Sequence, residues 1–186
     1  TSPSGGECWK VGEKRNIELK TSGNVANVRL EYSLDDFKTS EAIADFVPDT
    51  GVYEWLVPND VTRNLRVRVS DVDDPGANAV SDTAMRIQGV ITLAAPAGGE
   101  IWRLGQTYPI SWTTVGDVQG VRIEFSRAGF VSEAEPIVES TVNKGYFNWT
   151  VPDRITKSAK IRIIDLADPN ARAVSPEPFQ IAASFM

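Results

Sequence analysis

Pro3-Ser4-Gly5-Gly6-Glu7-Cys8-Trp9-Lys10-Val11-Gly12 decides how this chain is read, because it returns as Pro96-Ala97-Gly98-Gly99-Glu100-Ile101-Trp102-Arg103-Leu104-Gly105. A proline, a glycine pair, a glutamate, a tryptophan and a second glycine recur in register. Self-similarity at a fixed period makes each copy one folding unit. The 186 residues therefore divide into 1–89 and 90–186, two domains of about 90 residues each. Units of that size can bury a working core without metal or disulfide staples.

Within each copy the apolar residues alternate, which is the period of a half-buried strand and not of a helix. In the first copy Ile17 and Leu19 alternate with Asn16, Glu18 and Lys20, and Val28, Leu30 and Tyr32 point inward while Arg29, Glu31 and Ser33 point outward. Further strands are expected over Glu41 to Val47, Val52 to Val57, Leu65 to Asp71 and Thr83 to Gln88. Turn-rich segments such as Pro48-Asp49-Thr50-Gly51 and Asp73-Asp74-Pro75-Gly76 separate them. The second copy repeats the pattern: Val121, Ile123 and Phe125 stand for Val28, Leu30 and Tyr32, and Trp149 stands for Trp55. Six or seven short strands per copy with no long helix predict an all-β chain of two tandem immunoglobulin-like antiparallel β-sandwiches.

Between the copies, Gln88-Gly89-Val90-Ile91-Thr92-Leu93-Ala94-Ala95 is short and apolar, unlike a flexible Gly/Ser tether. Ile91-Thr92-Leu93 reads as the first strand of the second domain, and two sandwiches joined this way are expected to form a stiff rod. No counterpart of that strand precedes Pro3, so the first domain is expected to have a truncated first strand and the chain to be part of something longer.

Within the opening element, the glycine pair supplies backbone with φ > 0 for crossing between sheets. Trp9 and Trp102 follow as apolar plugs. Glu7 and Glu100 stand where a carboxylate can accept free backbone N–H groups and lock the turn, with a metal ligand or catalytic acid as the alternative role. The combined pattern Ile91-Thr92-Leu93, Pro96-x-Gly-Gly-Glu-x-Trp-x-x-Gly105, Ile110-Ser111-Trp112, Gly145-x-Phe-x-Trp-x-Val-Pro152 and Ile161-Arg162-Ile163 resembles an Ig-like family. That family is named for the N-terminal domain of yeast cell-wall β-glucan assembly proteins. Similar domains occur in Ser/Thr-rich, GPI-anchored fungal surface proteins and in tandem in large secreted prokaryotic surface proteins. The resemblance covers the chain twice, with Leu19 departing where the second copy has Trp112. It implies an extracellular β-sandwich with a surface-architecture role and no common active site.

The chemistry available is narrow. There is no histidine, which removes Ser-His-Asp and Cys-His systems and His-ligated zinc. Net charge is −6: residues 1–89 carry ten basic against fifteen acidic side chains, residues 90–186 nine against ten. Neither half offers a basic stripe for phosphates, so nucleic acid is not an expected partner. No run of about 18 apolar residues suggests a membrane span. Cys8, the single cysteine, aligns with Ile101 and reads as a small buried hydrophobe, with a reactive thiol as the alternative.

Carboxylates present in both copies are Glu7/Glu100, Glu31/Glu124, Asp71/Asp165 and Asp74/Asp168. Glu31 and Glu124 sit beside Arg29 and Arg122 and are expected to meet Arg68 and Arg162 across the sheet in a solvated charge ladder. Asp71/Asp74 and Asp165/Asp168 cap loops through Asx-type hydrogen bonds or, alternatively, bind calcium; Asp73 becoming Ala167 weighs against the metal. All five tryptophans read as core. The unmatched aromatics are Phe46, Tyr108 and Tyr146; the three are too scattered to make a stacking platform, with Tyr108 and Tyr146 the candidates for one in the second domain. Asn148-Trp149-Thr150 is an N-glycosylation sequon on an outward-facing position.

These readings set the expectations. No catalytic, cofactor or metal site is assigned. The chain is expected to be a non-catalytic structural or adhesive module of a cell-surface protein of S-layer, adhesin or stalk type. Its expected partners are other copies or domains of the same protein, or cell-wall glycan. The alternative is a carbohydrate-binding accessory module of a secreted enzyme or cell-wall protein.

Overall fold

The structure, a computed structural model, describes residues 2–183. The chain falls into two compact units that meet between Gln88 and Gly89. All regular structure among the described residues is strand, and no helix is long and apolar enough to cross a membrane.

The first unit contains β1 (Cys8–Lys10), β2 (Lys14–Glu18), β3 (Asn27–Ser33), β4 (Glu41–Pro48), β5 (Val52–Leu56), β6 (Thr62–Asp71), β7 (Asn78–Val80) and β8 (Met85–Gln88). Its larger sheet runs β1-β8-β6-β3-β4, with β7 paired to the far end of β6, and β2-β5 forms the opposing layer. The second unit contains β9 (Val90–Ala95), β10 (Ile101–Arg103), β11 (Thr107–Val115), β12 (Gly120–Ser126), β13 (Glu135–Val142), β14 (Tyr146–Thr150), β15 (Thr156–Asp165), β16 (Arg172–Val174) and β17 (Phe179–Ala182). There the larger sheet is β10-β17-β15-β12-β13, with β16 on β15, facing β14-β11-β9. Each unit is an Ig-like sandwich.

Alternation places the cores. In the first unit Val28, Leu30 and Tyr32 of β3 and Leu65 and Val67 of β6 face Ile17 of β2 and Trp55 of β5. In the second, Val121, Ile123 and Phe125 face Ile110, Trp112 and Trp149. All five tryptophans are buried. The rings cluster: Trp9 meets Trp55 edge-on at 5.7 Å, and Trp102 meets Trp149 at 5.9 Å. Such pairs add about 0.5–1.5 kcal/mol beyond the area they bury.

One short strand at the start of each unit is not visible as alternation. β1 and β10 pair in parallel with β8 and β17, so Trp9 lies beside Ile87 and Trp102 beside Ile181. Three residues are too short to show a period, and their pairing is set by the turn before them. With Trp9 turned inward, Cys8 sits on the opposite side, half-buried, with Sγ 3.7 Å from Gln88 Oε1. It is not the core hydrophobe expected of it, and its counterpart Ile101 is exposed.

The opening turn shows why its residues repeat. Gly5 and Gly98 have φ of 126° and 119°, and a Cβ on Gly5 would lie 2.2 Å from Thr83 Oγ1. On Gly98 it would lie 2.3 Å from Cβ of Glu177, the equivalent of Thr83. Gly6 and Gly99 also have positive φ but face open space. Gly5→Ala is therefore expected to cost about 1–3 kcal/mol, from clash and backbone strain together. Gly6→Ala, with strain alone, should cost less. Denaturant unfolding followed by tryptophan fluorescence ranks the two.

Candidate functional site

Three groups of polar residues recur in both units, and their geometry shows what each does. The first is the turn carboxylate. Glu7 Oε1 accepts the N–H of Ser4 at 2.9 Å and Oε2 that of Gly5 at 2.8 Å. Glu100 repeats this on Ala97 at 2.6 Å and Gly98 at 2.8 Å. The turn-locking role is the one the geometry supports. Burial pushes the Glu7 carboxyl up, but hydrogen bonds from its own N–H and those of Ser4 and Gly5 outweigh it and hold the group below its ordinary value.

The second group is Glu31 with Arg68 and Glu124 with Arg162. The cross-strand partners are the expected ones, since Glu31 pairs with Arg68 and Glu124 with Arg162 in register. The setting is not. Glu31 is 6% and Glu124 1% exposed, so the ladder is buried where a solvated one was expected. The reason is the segment after β3 and β12. Ser33 Oγ accepts the N–H of Phe37 at 2.8 Å, and Ser126 Oγ accepts that of Phe130 at 2.8 Å. This folds the loop back over the outer face of the sheet.

Phe37 then lies 4.3 Å from the Arg68 guanidinium and Phe130 4.2 Å from that of Arg162, within cation–π range. Arg68 grips Glu31 Oε2 through Nε at 3.1 Å and Nη2 at 2.7 Å, while Ser40 Oγ donates to Oε1 at 3.0 Å. Arg162 binds Glu124 Oε2 through the same two nitrogens, and Arg122 reaches Oε1. Burial pushes Glu31 up; the hydrogen bonds from Arg68 and Ser40 and the charges of Arg68 and Arg29 overcome it and leave the carboxyl below its ordinary value. A carboxylate gripped in this way is held ionised and is a poor general acid. Sequence inspection passed over Phe37 and Phe130. The signal was there: Ser33 and Phe37 recur as Ser126 and Phe130 at the same offset, in a loop with no strand to require an aromatic.

The third group is the paired aspartates. Asp71 Oδ1 accepts the N–H of Asp73 at 3.0 Å and Asp74 Oδ1 that of Gly76 at 3.1 Å. Asp165 and Asp168 do the same for Ala167 at 2.9 Å and Asn170 at 3.2 Å. These are Asx turns. Among the described residues no three Asp, Glu or Cys side chains gather as a metal-binding group.

Of the unmatched aromatics, Tyr108 and Tyr146 share the second unit and Phe46 lies in the first. Tyr108 lies flat on Trp102, centroids 4.9 Å apart and planes 1° from parallel, and its hydroxyl accepts the N–H of Arg103 at 3.0 Å. Its ring is part of the core edge. Tyr146 is 56% exposed on β14 and Phe46 63% exposed on β4, in different units. Asn148 is exposed on β14, opposite Pro109 in the β11–β14 register.

No family model matches the chain, and no curated protein is similar to it in sequence. Among solved structures, the chain is similar to the fibronectin(III)-like modules of CbhA from Clostridium thermocellum, with 16% identity and a TM-score of 0.36 over 98% of this chain and 92% of that one. The N-terminal four Ig domains of Dscam1 isoform 7.44 match with 8% identity and a TM-score of 0.44, and the chain spans 44% of that structure. A chimeric titin Z1Z2-Z1Z2 tandem matches with 14% identity and a TM-score of 0.33 over 96% of this chain and 95% of that one. Likenesses at this level assign neither site nor partner. What stands of the family resemblance is the Ig-like fold.

Two outcomes follow from the buried pair. Glu124→Ala strands Arg162 and is expected to cost about 3–5 kcal/mol, whereas Glu124→Leu with Arg162→Met should recover most of the loss, because those two charges leave together and the more exposed Arg122 keeps Glu139. Urea titration of the two variants checks this. Glu7 and Glu31 have folded pKa values below their unfolded value of 4.5. Their stabilisation is complete above that value and is lost as pH falls through the folded values. The first unit should therefore lose stability on acidification below about pH 4.5, and Glu31→Gln should flatten that slope in a pH series of denaturant melts.

Proposed function

We propose that the chain is a non-catalytic pair of Ig-like modules of a larger cell-surface protein of S-layer, adhesin or stalk type, acting through spacing and lateral protein contacts. One observation carries this reading. The polar groups that recur in both units are used inside their own unit, locking a turn, closing a loop or pairing a buried carboxylate with an arginine. Duplication has kept what builds a sandwich.

Some apolar side chains are exposed on strands: Phe46, Val52 and Leu56 in the first unit, Val115, Val142 and Tyr146 in the second. Exposed apolar residues scattered in this way are ordinary for a protein surface and do not make a sugar-stacking platform, which needs rings side by side. The carbohydrate-binding alternative is left with Tyr146 in the second unit.

The test is localisation combined with assembly. Antibodies against this chain should label intact cells that produce the parent protein, and external protease should remove the label. The purified parent protein should form ordered arrays or filaments by electron microscopy. Labelling only after permeabilisation would overturn the surface reading. Selective glycan-array binding that Tyr146→Ala abolishes would favour the alternative.

A further inference from the structure

The outer face of the larger sheet carries the same buried ion pair in both units, but the residue in the next row differs. In the second unit Ile164 of β15 stands between Arg122 of β12 and Arg172 of β16. In the first, the same place is held by Ser70 of β6, between Arg29 of β3 and Asn78 of β7. The sandwich itself therefore has no need of a hydroxyl there. Two residues on from Arg68, Ser70 lies on the same side of the sheet. It is 7% exposed, and among the described residues no hydrogen bond reaches its side chain. A buried polar group without a partner is costly, and a native structure that keeps one calls for a reason.

Ser70 lines a hollow of about 550 Å³, a volume usual for small-molecule sites. Arg29, Asp45, Asp71 and Asn78 line it too, beside the Glu31–Arg68 pair. The smaller layer, to which β9 belongs in the second unit, is on the other side of the core and takes no part in it. The charges in the hollow are already answered. Arg29 reaches Glu31 at 3.4 Å and Asp45 at 3.3 Å, and Arg68 holds Glu31 at 2.7 Å. Both guanidiniums are thus taken by carboxylates, which disfavours an anion. Among the described residues no group of acids could hold a metal ion. What is left over is hydrogen-bonding capacity. Ser70 Oγ can donate and accept. Asn78 gives its amide N–H groups to the carbonyls of Pro75 and Gly76, which leaves Oδ1 to accept. Asp71 uses one oxygen on the N–H of Asp73 and keeps the other.

We infer that this hollow binds a saccharide, a neutral ligand whose hydroxyls donate to Asn78 Oδ1 and Asp71 Oδ2 and exchange hydrogen bonds with Ser70 Oγ. Each sugar hydroxyl is donor and acceptor at once, which matches an amide oxygen, a carboxylate and a hydroxyl around one space. No aromatic ring lines the hollow, so binding rests on hydrogen bonds alone and is weak. The second unit does not repeat the site, because Ile164 and Arg172 stand where Ser70 and Asn78 do. The site goes beyond the spacing and lateral contacts proposed above and leaves them untouched, and Tyr146 has no part in it.

The probes are the methyl glycosides of glucose, galactose, mannose and N-acetylglucosamine, each titrated into the whole chain and followed by amide NMR. At least one should shift the backbone amides of Arg29, Ser70 and Asn78 and the side-chain amide of Asn78, saturating with a Kd of roughly 1–10 mM. Ser70→Ile installs the residue that the second unit carries at this place, so the fold accepts it, and it should weaken binding by about tenfold or more. Ser70→Ala removes the hydroxyl alone and should weaken binding by about threefold or more. Tyr146→Ala should leave it unchanged. Inorganic phosphate and methylammonium, as charged probes, should move the same amides less than the bound glycoside does. Absence of shifts with every glycoside, shifts centred elsewhere, undiminished binding by Ser70→Ile, or a stronger response to either ion would each overturn the proposal.

Discussion

Each sandwich depends on a carboxylate that closes a turn. A chain crossing between sheets leaves backbone N–H groups with no strand to receive them, and such groups are expensive to bury unpaired. Glu7 and Glu100 accept two of them each, through both oxygens, as charge-assisted hydrogen bonds. The next N–H is taken by the loop before the last strand, Gly6 to Ala84 and Gly99 to Pro178. The chain is thereby pinned against that loop, close enough that only glycine fits opposite Thr83 and Glu177. Parallel pairing of the short strand that follows, and the entry of tryptophan into the core, come after this and because of it.

A second constraint acts on the outer face of the larger sheet. A solvated strand face would leave Glu31 and Glu124 to water. Here a serine at the strand end captures the N–H four residues on and turns the loop back, so that Phe37 or Phe130 caps an arginine. The carboxylate beneath is dehydrated and must be answered by guanidinium groups on neighbouring positions. Burying such a pair gains little net stability over apolar residues of equal volume, but it tolerates only one register of the strands that hold it.

The copies have diverged where packing allows. Trp112 replaces Leu19, and its indole N–H donates to Asn143 Oδ1 at 2.8 Å; Asn143 stands where the first unit has Asp49. The polar atom of the larger ring thus has the acceptor it needs.

Domain period, strand alternation, the burial of all five tryptophans, the turn-locking glutamates and the arginine partners of Glu31 and Glu124 were legible in the residue order. Each follows from a local rule: a repeat, a period of two, a glycine pair beside an acid, residues opposite one another on adjacent strands. The parallel pairing of Cys8–Lys10 and Ile101–Arg103, the burial of Glu31 and Glu124 and the flat stacking of Tyr108 on Trp102 were not. They depend on which segments meet after the chain has crossed between layers or folded back over a sheet. A strand's alternation says which side faces the core and is silent on what covers the other side. The sequence by itself determined two Ig-like sandwiches and the residues that line their cores. Only the tertiary structure decided which charged residues are shut away from water, because that is set by contacts between segments far apart in the chain.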